Sequence, residues 1–354
     1  MSSSKPPRLG PLLARLVLLS FSIVFALCVG EVGLRLLGYR GVARLEMKDR
    51  IRPVDDPIVD YRYKPNSEYW TGDVTYHFNS AGFRDIEHVT AKPPDTKRIV
   101  VIGDSVTVGH GVVTDEIFIS QVREQLGTGV EAINIAMSGL NAPQVVHLLD
   151  VEGLRFEPDI VVLNFVLNDC DFYSRRGAAI DFDRKVNQEI GLLGIRVNPK
   201  LKELMKSSAL IYFLSQRAQR LFTDERAPDG DYVLRIWSSE KNRKKVSDAF
   251  DRFAALRDDH GFTPLILVWP VIADFASYPY REIHKWVMEE AVERGIEVID
   301  LLPAFAAVGR HKDFALNRND YFHPNARGHR AAANVFIGWM AGKSESQEPT
   351  VTAN

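Results

Sequence analysis

Short apolar runs alternate with helix-spaced segments through most of the chain. Ile99-Val-Val-Ile102 places four β-branched residues in a row, the pattern of a strand buried on both faces. Val130–Ile135, Asp159–Asn164, Thr263–Trp269 and Ile296–Leu301 repeat that signal, which predicts five strands. Helix-like spacing covers Thr114 to Leu126, a stretch ending near Arg257, and Asn325 to Met340, the last entered through Pro324. Strands alternating with helices predict an α/β domain on a mostly parallel sheet, spanning 96–342.

The two ends depart from this rhythm. Leu16 to Gly30 is uncharged and apolar, with Lys5, Arg8 and Arg15 ahead of it and no acidic residue before Glu31. The run falls short of the roughly 18–20 residues of a spanning helix and lengthens if Arg15 and Arg35 snorkel. Ala26-Leu-Cys28 makes a poor cleavage site, so 11–37 reads as an uncleaved transmembrane anchor behind a tail, 1–10. A cleaved signal and a buried amphipathic helix are the competing readings. Basic residues also follow the segment (Arg35, Arg40, Arg44, Lys48, Arg50), so charge alone leaves orientation open. A short tail before a long folded domain favours that domain on the outer side. Residues 38–95 mix aromatics, turn residues and short alternations, as a small β-rich lead-in ending at Lys92-Pro-Pro-Asp95. Its tyrosines and Trp70 either anchor it to the core or stack on sugars.

About ninety residues separate the third and fourth strands, far more than a crossover needs. A helical insertion of about 171–245 is expected there, with Leu204, Leu210, Ile211, Phe213, Leu214 and Leu221 apolar, as a substrate wall or a decoration. Residues 343–354 read as a disordered tail. A hydrophobic content of 45% with 25% charged residues suits a globular domain with a large core, and a net charge of −2 argues against nucleic acid. Lys241 to Lys245 is a basic cluster best read as a solvated helix face. Cys28 and Cys170 are too differently placed to pair, and Cys170 reads as a small buried residue. No repeat, Walker motif, His-Glu-x-x-His or zinc-type spacing occurs, and no cofactor is expected.

Candidate chemistry collects at the strand ends. Ser105 follows the first strand in Gly103-Asp104-Ser105, at the carboxyl edge where open α/β sheets bind ligands. A serine hydroxyl is a weak nucleophile without a base, and His323 in Asp320-Tyr-Phe-His323-Pro-Asn supplies one. Asp320 can fix its tautomer and stabilise the imidazolium. Gly139, after the second strand, and the Asn168 amide, after the third, can join the Ser105 N–H as oxyanion donors. The plainer readings are a surface loop for Asp320 to His323, a turn glycine for Gly139 and a helix cap for Asn168.

Taken in order, Ser105, Gly139, Asn168 and Asp320/His323 resemble the SGNH hydrolase superfamily, also called GDSL esterases, over roughly residues 96–342. The resemblance implies a flavodoxin-like three-layer sandwich. It also implies Ser105 as nucleophile, His323 as base, Asp320 as its orienter, and Gly139 with Asn168 as oxyanion donors. Two blocks differ: the first reads Gly-Asp-Ser-Val, and Val166 stands where the third has glycine. Valine tolerates positive φ poorly, so an acyl pocket narrowed beside Asn168 is expected. The resulting expectation is a membrane-anchored, extracytoplasmic serine esterase acting on acyl esters of an envelope glycan or lipid. An O-acyltransferase and a silent glycan-binding protein are the alternatives.

Overall fold

The computed structural model describes residues 9–39, 50–70, 74–171, 207–211, 213–214, 231–317 and 320–347. The chain divides into two compact units. In the first, helix α1 (Leu9–Leu36) exposes most of its apolar side chains from Leu13 onward, Phe21 and Phe25 among them. Among the described residues it is the one helix long and apolar enough to cross a membrane, over Leu13–Leu36. It runs through Glu31, which pairs with Arg35 at 2.6 Å. Arg35 is thus engaged by a carboxylate and also donates to the Ser207 carbonyl at 3.0 Å. Glu31 in turn accepts from the Ser208 hydroxyl and from the N–H groups of Ala209 and Leu210. Of the expected insertion helix, Leu204, Leu221 and most of their neighbours lie outside the described residues.

The second unit opens with two antiparallel pairs, β1 (Ile51–Pro53) with β2 (Tyr61–Tyr63), and β3 (Ser67–Trp70) with β4 (Thr75–Phe78). Strand β5 (Lys97–Gly103) leads into a one-turn helix, α2 (Ser105–Val108), and then α3 (Phe118–Gln125). Next come β6 (Val130–Ala136), α4 (Ala142–Leu148) and β7 (Ile160–Val166). Helices α5 (Tyr232–Trp237) and α6 (Glu240–His260) precede β8 (Thr263–Trp269), and α7 (Arg281–Glu293) precedes β9 (Glu297–Asp300). Helix α8 (Leu302–Val308), the pair β10 (Ala315–Asn317) and β11 (Asp320–Pro324), and α9 (Ala326–Gln347) complete it.

The five-stranded sheet runs β6-β5-β7-β8-β9, parallel throughout. Helices α4, α6 and α7 pack together on one face; α3, α8 and α9 pack on the other. Two covered faces explain the unbroken apolar strands: Ile99, Val100, Val101 and Ile102 are all fully buried. Strand order reverses between β5 and β7, and ligands of such sheets bind at the carboxyl ends flanking that crevice.

Several boundaries differ from the sequence reading for physical reasons. Ser105 begins a helix rather than a loop, because the Asp104 carboxylate accepts the Val106 N–H and caps it. Strand β7 extends to Val166, which keeps extended φ and ψ of −118° and 146° and is fully buried. The positive φ that made valine an obstacle therefore does not arise. His323 lies on β11 rather than in a free loop. The last helix runs past Met340 to Gln347, beyond the boundary read at 342.

Candidate active site

Gly103 closes β5 at a point where a Cβ would fall 2.0 Å from Thr107 Oγ1, so the turn into α2 requires glycine. That turn sets the Ser105 hydroxyl 2.9 Å from His323 Nε2 and 3.2 Å from Asp104 Oδ2. His323 Nδ1 is 2.7 Å from Asp320 Oδ2. The other Asp320 oxygen accepts the N–H groups of Phe322 and His323, so the carboxylate cannot swing away. The tautomer that satisfies both contacts carries its proton on Nδ1, leaving Nε2 to accept from Ser105.

Burial alone would lower the His323 pKa. The charge and hydrogen bond of Asp320, with the more distant Asp104, outweigh burial and hold it above 6.5. Burial would likewise raise Asp320, but the His323 charge and hydrogen bonds bring it below the usual carboxylate range. The two shifts describe a pair in which the imidazolium is favoured.

Asn168 follows β7 in a single 3₁₀ turn and donates from Nδ2 to Asp104 Oδ2 at 3.2 Å. Asp104 fixes the amide's orientation, since the reverse would set two acceptors together. The turn is tied down by Asp169, which accepts the Val166 N–H at 2.9 Å, and by Trp237, whose indole donates to the Leu167 carbonyl at 2.8 Å. Gly139 lies beyond β6 at the same sheet edge with φ +87°, and its N–H donates no hydrogen bond among the described residues. Its neighbour Ser138 is held by two lead-in tyrosines: its N–H donates to Tyr63, and Tyr61 donates to its carbonyl. The structure thus brings Ser105, His323 and Asp320 into one hydrogen-bonded chain and links Asn168 to it through Asp104. Gly139 shares the edge without a bond to the others.

Four residues at the site escaped the sequence reading in whole or part. Asp104 is fully buried and serves Ser105, Asn168 and Val106 together. Arg84 is a fully buried cation that donates to the carbonyls of Val108, Gly109 and Val112. It lies 4.0 Å above the Tyr76 ring, and burial brings its pKa down to about 10. Tyr76 accepts the Gly111 N–H at 2.6 Å. His110 packs on His323 with ring centroids 4.4 Å apart. The flanking glycines of Gly109-His-Gly111 were the available signal. Cys170, by contrast, is fully buried, and burial with the Asp169 charge pushes its thiol up to about 12, which removes it as a nucleophile.

Residues 101–331, well over half of the chain, match the model of the GDSL-like lipase/acylhydrolase family. The chain belongs to that family and is a hydrolase of ester bonds. Among solved structures it is similar to the acetyl xylan esterase AlAXEase, at 15% identity over 69% of this chain and 98% of that one, with a TM-score of 0.40. The lipase Lip_vut3 from a goat rumen metagenome is similar at 16% identity over 69% and 97%, TM-score 0.41. A two-domain esterase active on acetylated mannans is similar at 13% over 73% and 52%, TM-score 0.41. No curated protein matches the chain by sequence.

Proposed function

We propose that Ser105 is the nucleophile of an extracytoplasmic, membrane-anchored esterase, with His323 as its base and Asp320 as the orienter of that base. The observation that carries this is the unbroken series of contacts from Ser105 Oγ through both ring nitrogens of His323 to Asp320. His323 Nε2 takes the hydroxyl proton as Ser105 attacks the acyl carbon, then returns it to the departing alcohol. Water repeats the sequence in reverse and frees the acid. Asp320 stabilises the imidazolium formed in each half. The Ser105 and Gly139 N–H groups and the second N–H of the Asn168 amide serve as donors to the oxyanion.

The exposed apolar surface of α1 supports an anchor, and a catalytic domain on the outer side would reach acyl esters of an envelope glycan or lipid. Full-length protein in detergent should hydrolyse 4-nitrophenyl acetate and release acetate from an acetylated glycan, while Ser105→Ala should do neither. Alkaline carbonate should leave the chain in the membrane pellet, and protease added outside intact cells should digest the catalytic domain. A shortened soluble chain would remove the anchor and leave the esterase.

A further inference from the structure

His110 is presented with unusual care for a residue that the reaction above does not use. Gly109 and Gly111 on either side have φ of +78° and +74°. A Cβ on either would fall 2.2 Å from a neighbouring side chain, Ile117 for one and Leu316 for the other. The His110 N–H donates to the Ser105 carbonyl at 3.0 Å, tying it to the nucleophile's own backbone. Arg84 and Tyr76 clamp the loop from the other side. Burying a cation to hold three loop carbonyls is expensive, which makes the position of the loop worth explaining.

The clamped imidazole ends beside His323, its ring tilted 42° to it. The ring is half-buried, and neither of its nitrogens has a hydrogen-bond partner among the described residues. A nitrogen of His110, a nitrogen of His323 and a carboxylate oxygen of Asp320 lie within 4.8 Å of one another. One water making a hydrogen bond of about 2.8 Å to a nitrogen of each ring links imidazoles whose centroids are 4.4 Å apart.

We propose that His110 holds the water that attacks the acylated Ser105, accepting one of its hydrogens while His323 takes the other. The inference rests on the Ser105–His323–Asp320 reading. As the water oxygen bonds to the acyl carbon, one proton passes to His323 Nε2. The tetrahedral adduct then breaks its bond to Ser105 Oγ, which recovers that proton from His323. The hydrogen resting on His110 leaves with the carboxylic acid, so His110 neither gains nor loses a proton. Acceptance requires a neutral ring. Burial and the His323 charge, reinforced by Arg84 and Arg50 against an opposing Asp320, push His110 down to about 3.

4-Nitrophenyl acetate separates the steps, because nitrophenolate leaves without needing a proton. His110→Phe keeps a ring against His323 and removes the acceptor. Its burst rate should stay within about 3-fold of wild type, while the following steady rate falls about 10-fold, the effect of one hydrogen bond. Acetyl-Ser105 should then accumulate in the intact-protein mass, and His110→Gln should restore most of the steady rate. His110→Ala reads the same split if the phenyl ring disturbs folding. An unchanged steady rate, or equal slowing of burst and steady phases, would overturn the role of His110. A burst that persists in Ser105→Ala would instead overturn the triad on which it rests.

Discussion

The ends of β5 and β7 border the same crevice and are built in different ways. At β5 the loop carrying His110 is fixed from outside, by Arg84 and Tyr76 of the lead-in, and the Ser138 turn after neighbouring β6 is fixed by Tyr61 and Tyr63. At β7 the turn carrying Asn168 is fixed by Asp169 within the turn and by Trp237 of α5, without the lead-in. The Asn168 side-chain oxygen Oδ1 is buried without a partner among the described residues, and the side-chain amide rests on its bond to Asp104. The lead-in therefore acts as scaffolding for the Ser105 side. The β7 side is positioned with less redundancy.

Breaking the scaffold should produce the largest effect. Arg84→Met strands the buried carbonyls of Val108 and Val112 (Gly109 keeps the Val112 N–H) and should cost about 1–3 kcal/mol for each, read as a drop in Tm. The labelling rate of Ser105 by a fluorophosphonate should fall with it. Asn168→Ala tests the other side. It should cost on the order of 10²–10³ in kcat, about 2.7–4 kcal/mol, with little change in Tm. A Tm loss matching that of Arg84→Met would erase the contrast between the two ends.

Val166→Gly sharpens it further. Val166 is buried and extended, so its removal should lower stability by about 2 kcal/mol and leave the ratio of kcat/KM for acetyl, butyryl and octanoyl esters unchanged. A broadened chain-length range would place the side chain in the acyl pocket instead. The smallest shift concerns pH. His323 must be neutral to act, and its pKa is raised, so kcat/KM should fall as pH drops through a value above 6.5. Asp320→Asn removes the main cause of the raised value and should move that limb downward, besides slowing turnover.

The strands of the main sheet were legible because Ile99 to Ile102 and Thr263 to Trp269 carry a local signal, apolar on both faces. The candidate site residues stood out for a similar reason: Ser105, Gly139, Asn168 and His323 each stand just past a strand or before the last helix. Tertiary partners are not local. Arg84 reads as one arginine in a polar lead-in until folding sets it under the carbonyls of Val108 and Gly109. Val166 was misread because a family difference was taken as a loop position, whereas β7 continues through it. Likewise the pairing of Glu31 with Arg35 at 2.6 Å, one helical turn apart, could not be read from an apolar run that stops at Gly30.

The central claim is that the Ser105 hydroxyl, activated by His323, is the group that takes the acyl chain. Treating the full-length protein with a fluorophosphonate and mapping the adduct by peptide mass spectrometry tests it most directly. One adduct on Ser105 is expected, formed more slowly as pH falls below the His323 pKa and absent from Ser105→Ala. An adduct on any other residue, or equal labelling of Ser105→Ala, would contradict the account.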